Sequence, residues 1–435
     1  MKTISIMSML SVGLLLVLPL NGQTLNTLYS FGHNELGYQP YAIVLGSKGQ
    51  IFGTSPNGGA YGYGVVFELV PPSAQGGAWS YTVIHSFNGQ NGETWPPTGN
   101  SLTMGPNGVL YGVAGTSTGD VYRLLPPSGD STQWHESVLF AFPSDASTGG
   151  APDGALSIGP SGTLYGVTKG GGPYFGGTAF RLSPPAAQGG AWTEQVLHDF
   201  DVFTGDGGAP RGPLASGSNG VIYGATWDGG AAGIAGTVFQ LTPPIAPGGT
   251  WGETVLHSFL TSPADSAYPN GVILGPGGVL YGTAAGVSQL EGASASGTVF
   301  QLGPPSEPGG AWTETILHSF TGEPFASNNS DGSVPDCPPI LGPNGELYGT
   351  TYAGGLHGSG TIYELVPPSS PGGQWTEVTL YNFNAGADGG QPNSVVLGPD
   401  GNLYGTTEYG GVSAGGITNQ GTIFQLVLPQ NSARR

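Results

Sequence analysis

Seven copies of one short block constrain this chain more than any other feature. Each block carries a Leu-Tyr-Gly-Thr-like element, a glycine-rich loop, a Gly-Thr-Val-Phe-x-Leu element and a Pro-Pro stop. The aromatic of the first element recurs at Phe52, Tyr111, Tyr165, Tyr223, Tyr281, Tyr348 and Tyr404, 54 to 67 residues apart. A period of this size marks a repeat architecture, in which one unit cannot bury its apolar face without its neighbours. Four strands can be read in each unit. The first is apolar and follows a proline, as in Pro40-Tyr41-Ala42-Ile43-Val44-Leu45. A turn such as Gly342-Pro343-Asn344-Gly345 joins it to the second, the Leu-Tyr-Gly-Thr element; Asn-Gly between apolar runs is a strong hairpin signal. The third runs Gly236–Leu241 in the fourth copy and stops at Pro243-Pro244, because proline cannot donate to a ladder. The fourth starts near a tryptophan and ends in a phenylalanine, as in Trp251–Phe259. Four short antiparallel strands make one blade of a β-propeller.

The phase of the repeat predicts closure. The fourth-strand pattern ends at Phe31, Phe87, Phe142, Phe200, Phe259, Phe320 and Phe383, so its first copy precedes every other element, whereas the last unit stops at its third strand, Gly421–Leu426. The strand around Leu25–Phe31 should therefore complete the last blade. Such a splice closes the ring and leaves no open sheet edge; a linear solenoid would need polar caps instead. The expected fold is all-β: a single seven-bladed propeller of four-stranded antiparallel blades over residues 23–428, with a tail at 429–435.

Composition agrees. Gly (82) and Pro (38) exceed a quarter of the 435 residues, but they recur at fixed places, and only 8% of residues are charged, unlike a disordered chain. Residues 1–22, with Lys2 followed by an apolar run from Ile6 to Leu20, read as a secretory signal peptide. The run is shorter than the ~20 residues a span requires. The expected location is secreted, periplasmic or cell-surface. Cys337 is the only cysteine, so no internal disulfide can form; it reads as a loop residue. The net charge of −19 excludes the basic footprint that nucleic acid requires.

The Leu347–Thr351 and Leu403–Thr407 elements, the pairs Gly354-Gly355 and Gly410-Gly411, and the Gly-Thr-Ile/Val-Phe strands resemble the bacterial tandem repeats called GloVer, found in "choice-of-anchor" proteins. Repeat two departs most, with Leu110-Tyr111-Gly112-Val113-Ala114. The resemblance implies an exported protein and no particular reaction. Residues 430–435 carry no apolar anchor. A weaker similarity to kelch repeats supports the same architecture.

Loops between strands two and three, and between blades, should share one face, and these are the loops that vary. Function usually sits on variable loops held by a rigid scaffold. This face is aromatic and acidic, with Lys169 and Arg211 its only cations. Flat rings beside carboxylates suit sugars, whose C–H faces stack while hydroxyls find acceptors. The candidate ligand contacts are Trp95, Trp227, Asp228, Tyr61, Tyr174, Tyr352 and Tyr409. Trp95 and Trp227 lead, because neither sits at a position repeated as tryptophan.

Other groups read as structural. His85, His198, His257 and His318 share one position that Tyr29, Phe140 and Tyr381 fill elsewhere, which suits packing or one hydrogen bond. Glu136, Glu194, Glu253, Glu314 and Glu377 should lie on a solvated outer strand. No zinc spacing, EF-hand or phosphate loop appears, so no metal, cofactor or catalytic set is expected. The expected function is a monomeric binding module for glycans, cell-envelope material or cell-surface proteins. The alternatives are an interaction scaffold, or a polysaccharide hydrolase or lyase with Asp228 as first candidate.

Overall fold

A computed structural model describes residues 23–429 except 33–35, 75, 90–96, 98–100, 116–117, 188, 232–234, 247, 261–266, 287–295, 308, 323–330, 371 and 414–415. Trp95 and the 1–22 segment lie outside the described residues. Seven four-stranded antiparallel sheets follow one another around a ring. Blade 4 is representative: Gly208–Ser216, Ile222–Asp228, Thr237–Thr242 and Gly252–Ser258, from the axis outward. The other blades span 43–86, 103–141, 150–199, 269–319 and 340–382. The seventh is spliced, with Gly390–Leu397, Leu403–Tyr409 and Thr422–Val427 completed by the N-terminal strand Thr24–Ser30. Thr24 faces Val427 and Ser30 faces Thr422 in that antiparallel pair.

The repeated residues make the seams between blades. The phenylalanine ending each fourth strand meets the third-strand aromatic of the next blade edge-on or tilted. Phe87–Tyr122, Phe142–Phe180, Phe200–Phe239, Phe259–Phe300, Phe320–Tyr363, Phe383–Phe424 and the closing pair Phe31–Phe67 have centroids 4.9 to 5.6 Å apart. Most of these rings are fully buried. The core is thus a circle of inter-blade contacts rather than seven separate cores. The blade tryptophans also hold seams together. Trp134, Trp312 and Trp375 pack edge-on against Phe52, Tyr223 and Tyr281 of the preceding blade.

Glycine in Leu-Tyr-Gly-Thr is required by the same packing. A Cβ at Gly224 would collide with the ring of Phe239 on the neighbouring strand, and the equivalent clash occurs at Gly53, Gly112, Gly166, Gly282, Gly349 and Gly405. The threonines are equally specific. Thr226 and Thr237 share a buried hydroxyl contact, as do Thr168 and Thr178, Thr351 and Thr361, and Thr407 and Thr422, all at 2.8 to 3.0 Å. Each pair satisfies polar groups that burial would otherwise leave without water.

The outer-strand glutamates correct one expectation. They are half-buried rather than solvated, and Glu253, Glu314 and Glu377 face His198, His257 and His318 of the preceding blade. Glu314 lies 3.7 Å from His257 of blade 4. Burial pushes Glu194 and Glu253 up to about 7, with Asp199 adding to the shift at Glu194. The histidines pack edge-on against the seam phenylalanines, as His198 does on Phe200, and His198 also meets Asp206 at 2.9 Å. Among the described residues, no helix is long and apolar enough to cross a membrane.

Candidate functional site

The innermost strands enter the ring through an x-Pro step that aims their first residues at the axis. Pro40, Pro152, Pro210, Pro269, Pro335 and Pro392 each sit against a glycine of the preceding blade, and the residue before each proline has a positive φ, from 47° at Ala209 to 67° at Tyr268. Non-glycine residues rarely adopt that conformation, so the packing must hold it. Each strained residue donates its N–H back to the preceding blade, as Ala209 does to the Gly176 carbonyl at 2.8 Å. Below this entry Gly154, Gly212 and Gly271 bring the inner strands of blades 3, 4 and 5 together. A Cβ on Gly212 would lie 2.6 Å from the Asn270 carbonyl.

What remains at the axis is a cavity of about 150 Å³, lined by Tyr41, Asp153, Lys169, Arg211, Asn270, Asp336, Cys337 and Asn393 among others. Six of the seven blades contribute. Asn270 and Asn393 are held by hydrogen bonds to the Pro335 and Pro40 carbonyls at 2.7 and 2.8 Å. Cys337 is buried, and its carbonyl accepts from Thr283 at 2.8 Å. Larger cavities of about 990 and 560 Å³ lie elsewhere, lined mainly by the repeated Pro-Pro connections, turns and outer strands of blades 5–6 and 1–2. Their walls are the seam residues themselves, so their size follows from blade packing. The smaller axial cavity holds the concentration of charge.

That charge is unevenly paired. Lys169 and Asp153 form an ion pair at 3.0 Å. Asp336 is exposed to the channel, with the inner strands of the ring around it. That enclosure pushes its carboxyl up to about 6, with Asp153 and Glu408 adding to the shift and Arg211 and Lys169 opposing it. Tyr352 donates to Glu408 at 3.0 Å. Glu408 also raises Tyr409, and burial followed by Glu408 pushes Tyr41 up to about 12. Three phenols therefore surround one carboxylate beside the cavity.

Trp227 and Asp228 end the second strand of blade 4. The Arg211 guanidinium lies over the indole at 3.7 Å from its centroid, and Tyr268 stacks against the same indole at 5.1 Å. Asp228 is exposed; partial enclosure raises its carboxyl and Arg211 opposes the shift. The structure thus brings Trp227 and Asp228 to Arg211, and Tyr352 and Tyr409 to Glu408. Tyr61 and Tyr174 stand apart, 63% and 53% exposed on loops that lean outward. The Ala60 N–H, next to Tyr61, reaches Ser86 on an outermost strand. Sequence reasoning did not single out Tyr41, whose only signal was its place after Pro40. No group of three or more His, Cys, Asp or Glu among the described residues is placed to hold a metal ion.

Solved structures share the architecture at low identity. Virginiamycin B lyase from Staphylococcus aureus, solved with quinupristin, is 14% identical over 94% of this chain and 100% of its own, with a TM-score of 0.52. A Bacteroides uniformis protein described as a 6-phosphogluconolactonase is 14% identical over 87% of this chain and 98% of its own, at 0.50. The extracellular domain of a hybrid two-component system from B. thetaiotaomicron is 11% identical over 92% of this chain and 40% of that one, also at 0.50. Identities this low establish the fold alone. No curated protein sequence matches. The repeat itself matches a family in two overlapping stretches, 116–336 and 285–434, which take in five of the seven Leu-Tyr-Gly elements and most of the seams described above. The chain belongs to the Gloeobacter/Verrucomicrobia repeat family.

Proposed function

We infer that this propeller is an exported binding module for glycans, and that its site is the axial cavity with the aromatic residues around it. The observation that carries the reading is the convergence of Tyr41, Arg211 and Asp336, from blades 1, 4 and 6, on one small polar cavity, with Tyr352, Glu408 and Tyr409 of blades 6 and 7 beside it. Ligand pockets usually measure about 300–1,000 Å³. A cavity of about 150 Å³ is too small for a whole oligosaccharide and suits its terminal unit. The rest of such a chain would lie across the face toward Trp227. Export follows from the apolar run in residues 1–22.

A polysaccharide hydrolase or lyase is the second reading. Asp336, with its raised carboxyl, feels the charge of Glu408, and two neighbouring carboxyls can divide acid and base roles. A pull-down of the purified chain on insoluble and immobilised polysaccharides, scored for bound protein and released reducing ends, separates the two. Binding without release supports the module. Release makes it an enzyme. Neither, across a broad panel, overturns both and leaves a protein-interaction scaffold.

A further inference from the structure

Arg211 is the charged group at the mouth that the fold does not use. Among the described residues it makes no hydrogen bond and no ion pair, and its Nε is buried without a partner. A guanidinium carries five donors, and a buried donor left unsatisfied costs about 1–3 kcal/mol, more when charged. Arg123 and Arg181 also leave Nε without a partner, but of the three only Arg211 lines the axial cavity. Here two carboxylates, Asp336 and Asp228, are near enough to feel the charge of Arg211, yet neither forms an ion pair with it. The other acidic groups at the mouth are engaged: Asp153 by Lys169 and Glu408 by Tyr352. The guanidinium is also pre-positioned. Trp227 lies beneath it, and Tyr268 stacks on Trp227, so the plane of the fork is set before any ligand arrives. Arg211 lines the cavity, so the fork borders the space a ligand would enter.

We propose that Arg211 receives the carboxylate of an acidic sugar residue, which makes the ligand class uronate-containing glycans. The planar fork matches a carboxylate bidentately, as an ammonium does not. The Asp336 side chain likewise makes no hydrogen bond or ion pair among the described residues and, while ionised, competes with the ligand for the guanidinium across the same cavity. A neutral sugar would meet the guanidinium with hydroxyls alone and gain less from it. This assignment rests on the glycan reading above and narrows it.

The test is binding of galacturonate, glucuronate and mannuronate trisaccharides to the purified chain, each beside its own methyl ester, by titration calorimetry. Neutral trisaccharides of the same length complete the panel. The expected result is at least tenfold tighter binding of one acid over its ester. Arg211→Gln should remove that preference by weakening the acid far more than its ester, and Arg211→Lys should restore part of it. If acid and ester bind equally, or neutral sugars bind and no uronate does, the assignment falls and the glycan reading stands. If no saccharide binds, both fall. Should Arg211→Gln fail to fold, the acid-against-ester comparison on the unaltered chain decides the matter alone.

Discussion

The ring of Tyr29 lies flat on that of Tyr81, with centroids 4.4 Å apart and planes within 9° of parallel. Tyr29 belongs to the N-terminal strand and Tyr81 to the outermost strand of blade 1, so the stack spans the seam where the ring closes. At the seam between blades 4 and 5 the same two positions hold His257 and Glu314. Between blades 6 and 7 they hold Tyr381 and Leu25, which pack against one apolar cluster. The partners change together from seam to seam, and the stacked tyrosines are the closing version.

Closure should therefore be measurable at Tyr29. Tyr29→Ala removes the stack and the edge contact with Phe31, and should cost about 2 kcal/mol, read as a lower denaturant midpoint. Starting the chain at residue 32 goes further. It removes Phe31 from Phe67 and leaves Thr422–Val427 as a bare edge. That form should aggregate in size-exclusion chromatography. A soluble, cooperative truncated form would show that the splice is dispensable.

Gly224→Ala tests the packing that the Leu-Tyr-Gly element encodes. The added methyl has no room against Phe239, and overpacking of this kind costs about 1–3 kcal/mol. Gly252→Ala is the control. Gly252 lies on the outermost strand of the same blade; neither glycine has a positive φ, and a Cβ at Gly252 meets nothing within 4 Å. Equal losses in the two variants would show that ring contact with Phe239 does not explain the repeated glycine.

These examples show what was legible in the chain. Strand number, blade number and the splice follow from the phase of the phenylalanines, because alternation and turns are local. The reason for glycine in Leu-Tyr-Gly was not legible, since it depends on the cross-strand register that sets Phe239 opposite Gly224. The outer glutamates misled for the same reason: the groups they face belong to the preceding blade. At the candidate site, residue types did not say which side chains converge. Tyr61 and Tyr174 looked equivalent to Tyr352 in sequence; only the lean of their loops separates them.

Glu194 gives a pH signature to a seam. The matching position of blade 2 holds Phe140 rather than a histidine, and burial raises the Glu194 carboxyl to about 7 from an ordinary value of 4.5. The folded state then binds a proton that the unfolded state has released between those values. Its contribution to stability is fully present below about pH 4.5 and is lost as pH rises through 7. Glu194→Gln should stabilise the protein at pH 8 by on the order of 1 kcal/mol, after allowance for partial solvation, and by almost nothing at pH 4.5. Melting temperatures of the two proteins at both pH values check this. An offset independent of pH would mean that packing of the amide, not the proton, causes the difference.

Asp336 should make ligand binding pH-dependent in a way that depends on ligand charge. Facing it are Arg211 on the inner strand of blade 4, Asp153 and Lys169 of blade 3, Glu408 of blade 7 and Tyr41 of blade 1. With its carboxyl raised to about 6, it loses its charge between pH 7.5 and 5. A uronate stays ionised over that range, so protonating Asp336 removes a negative charge that competes with the ligand for Arg211. Affinity for an acidic trisaccharide should rise several-fold on acidification, and affinity for its methyl ester should change little. In Asp336→Asn the acid should bind more tightly at pH 7.5, and its pH dependence should flatten. Weaker binding of the acid at pH 5 than at 7.5 would mean that the ionised Asp336 helps to hold the ligand, and would place a donor rather than a carboxylate at this end of the cavity.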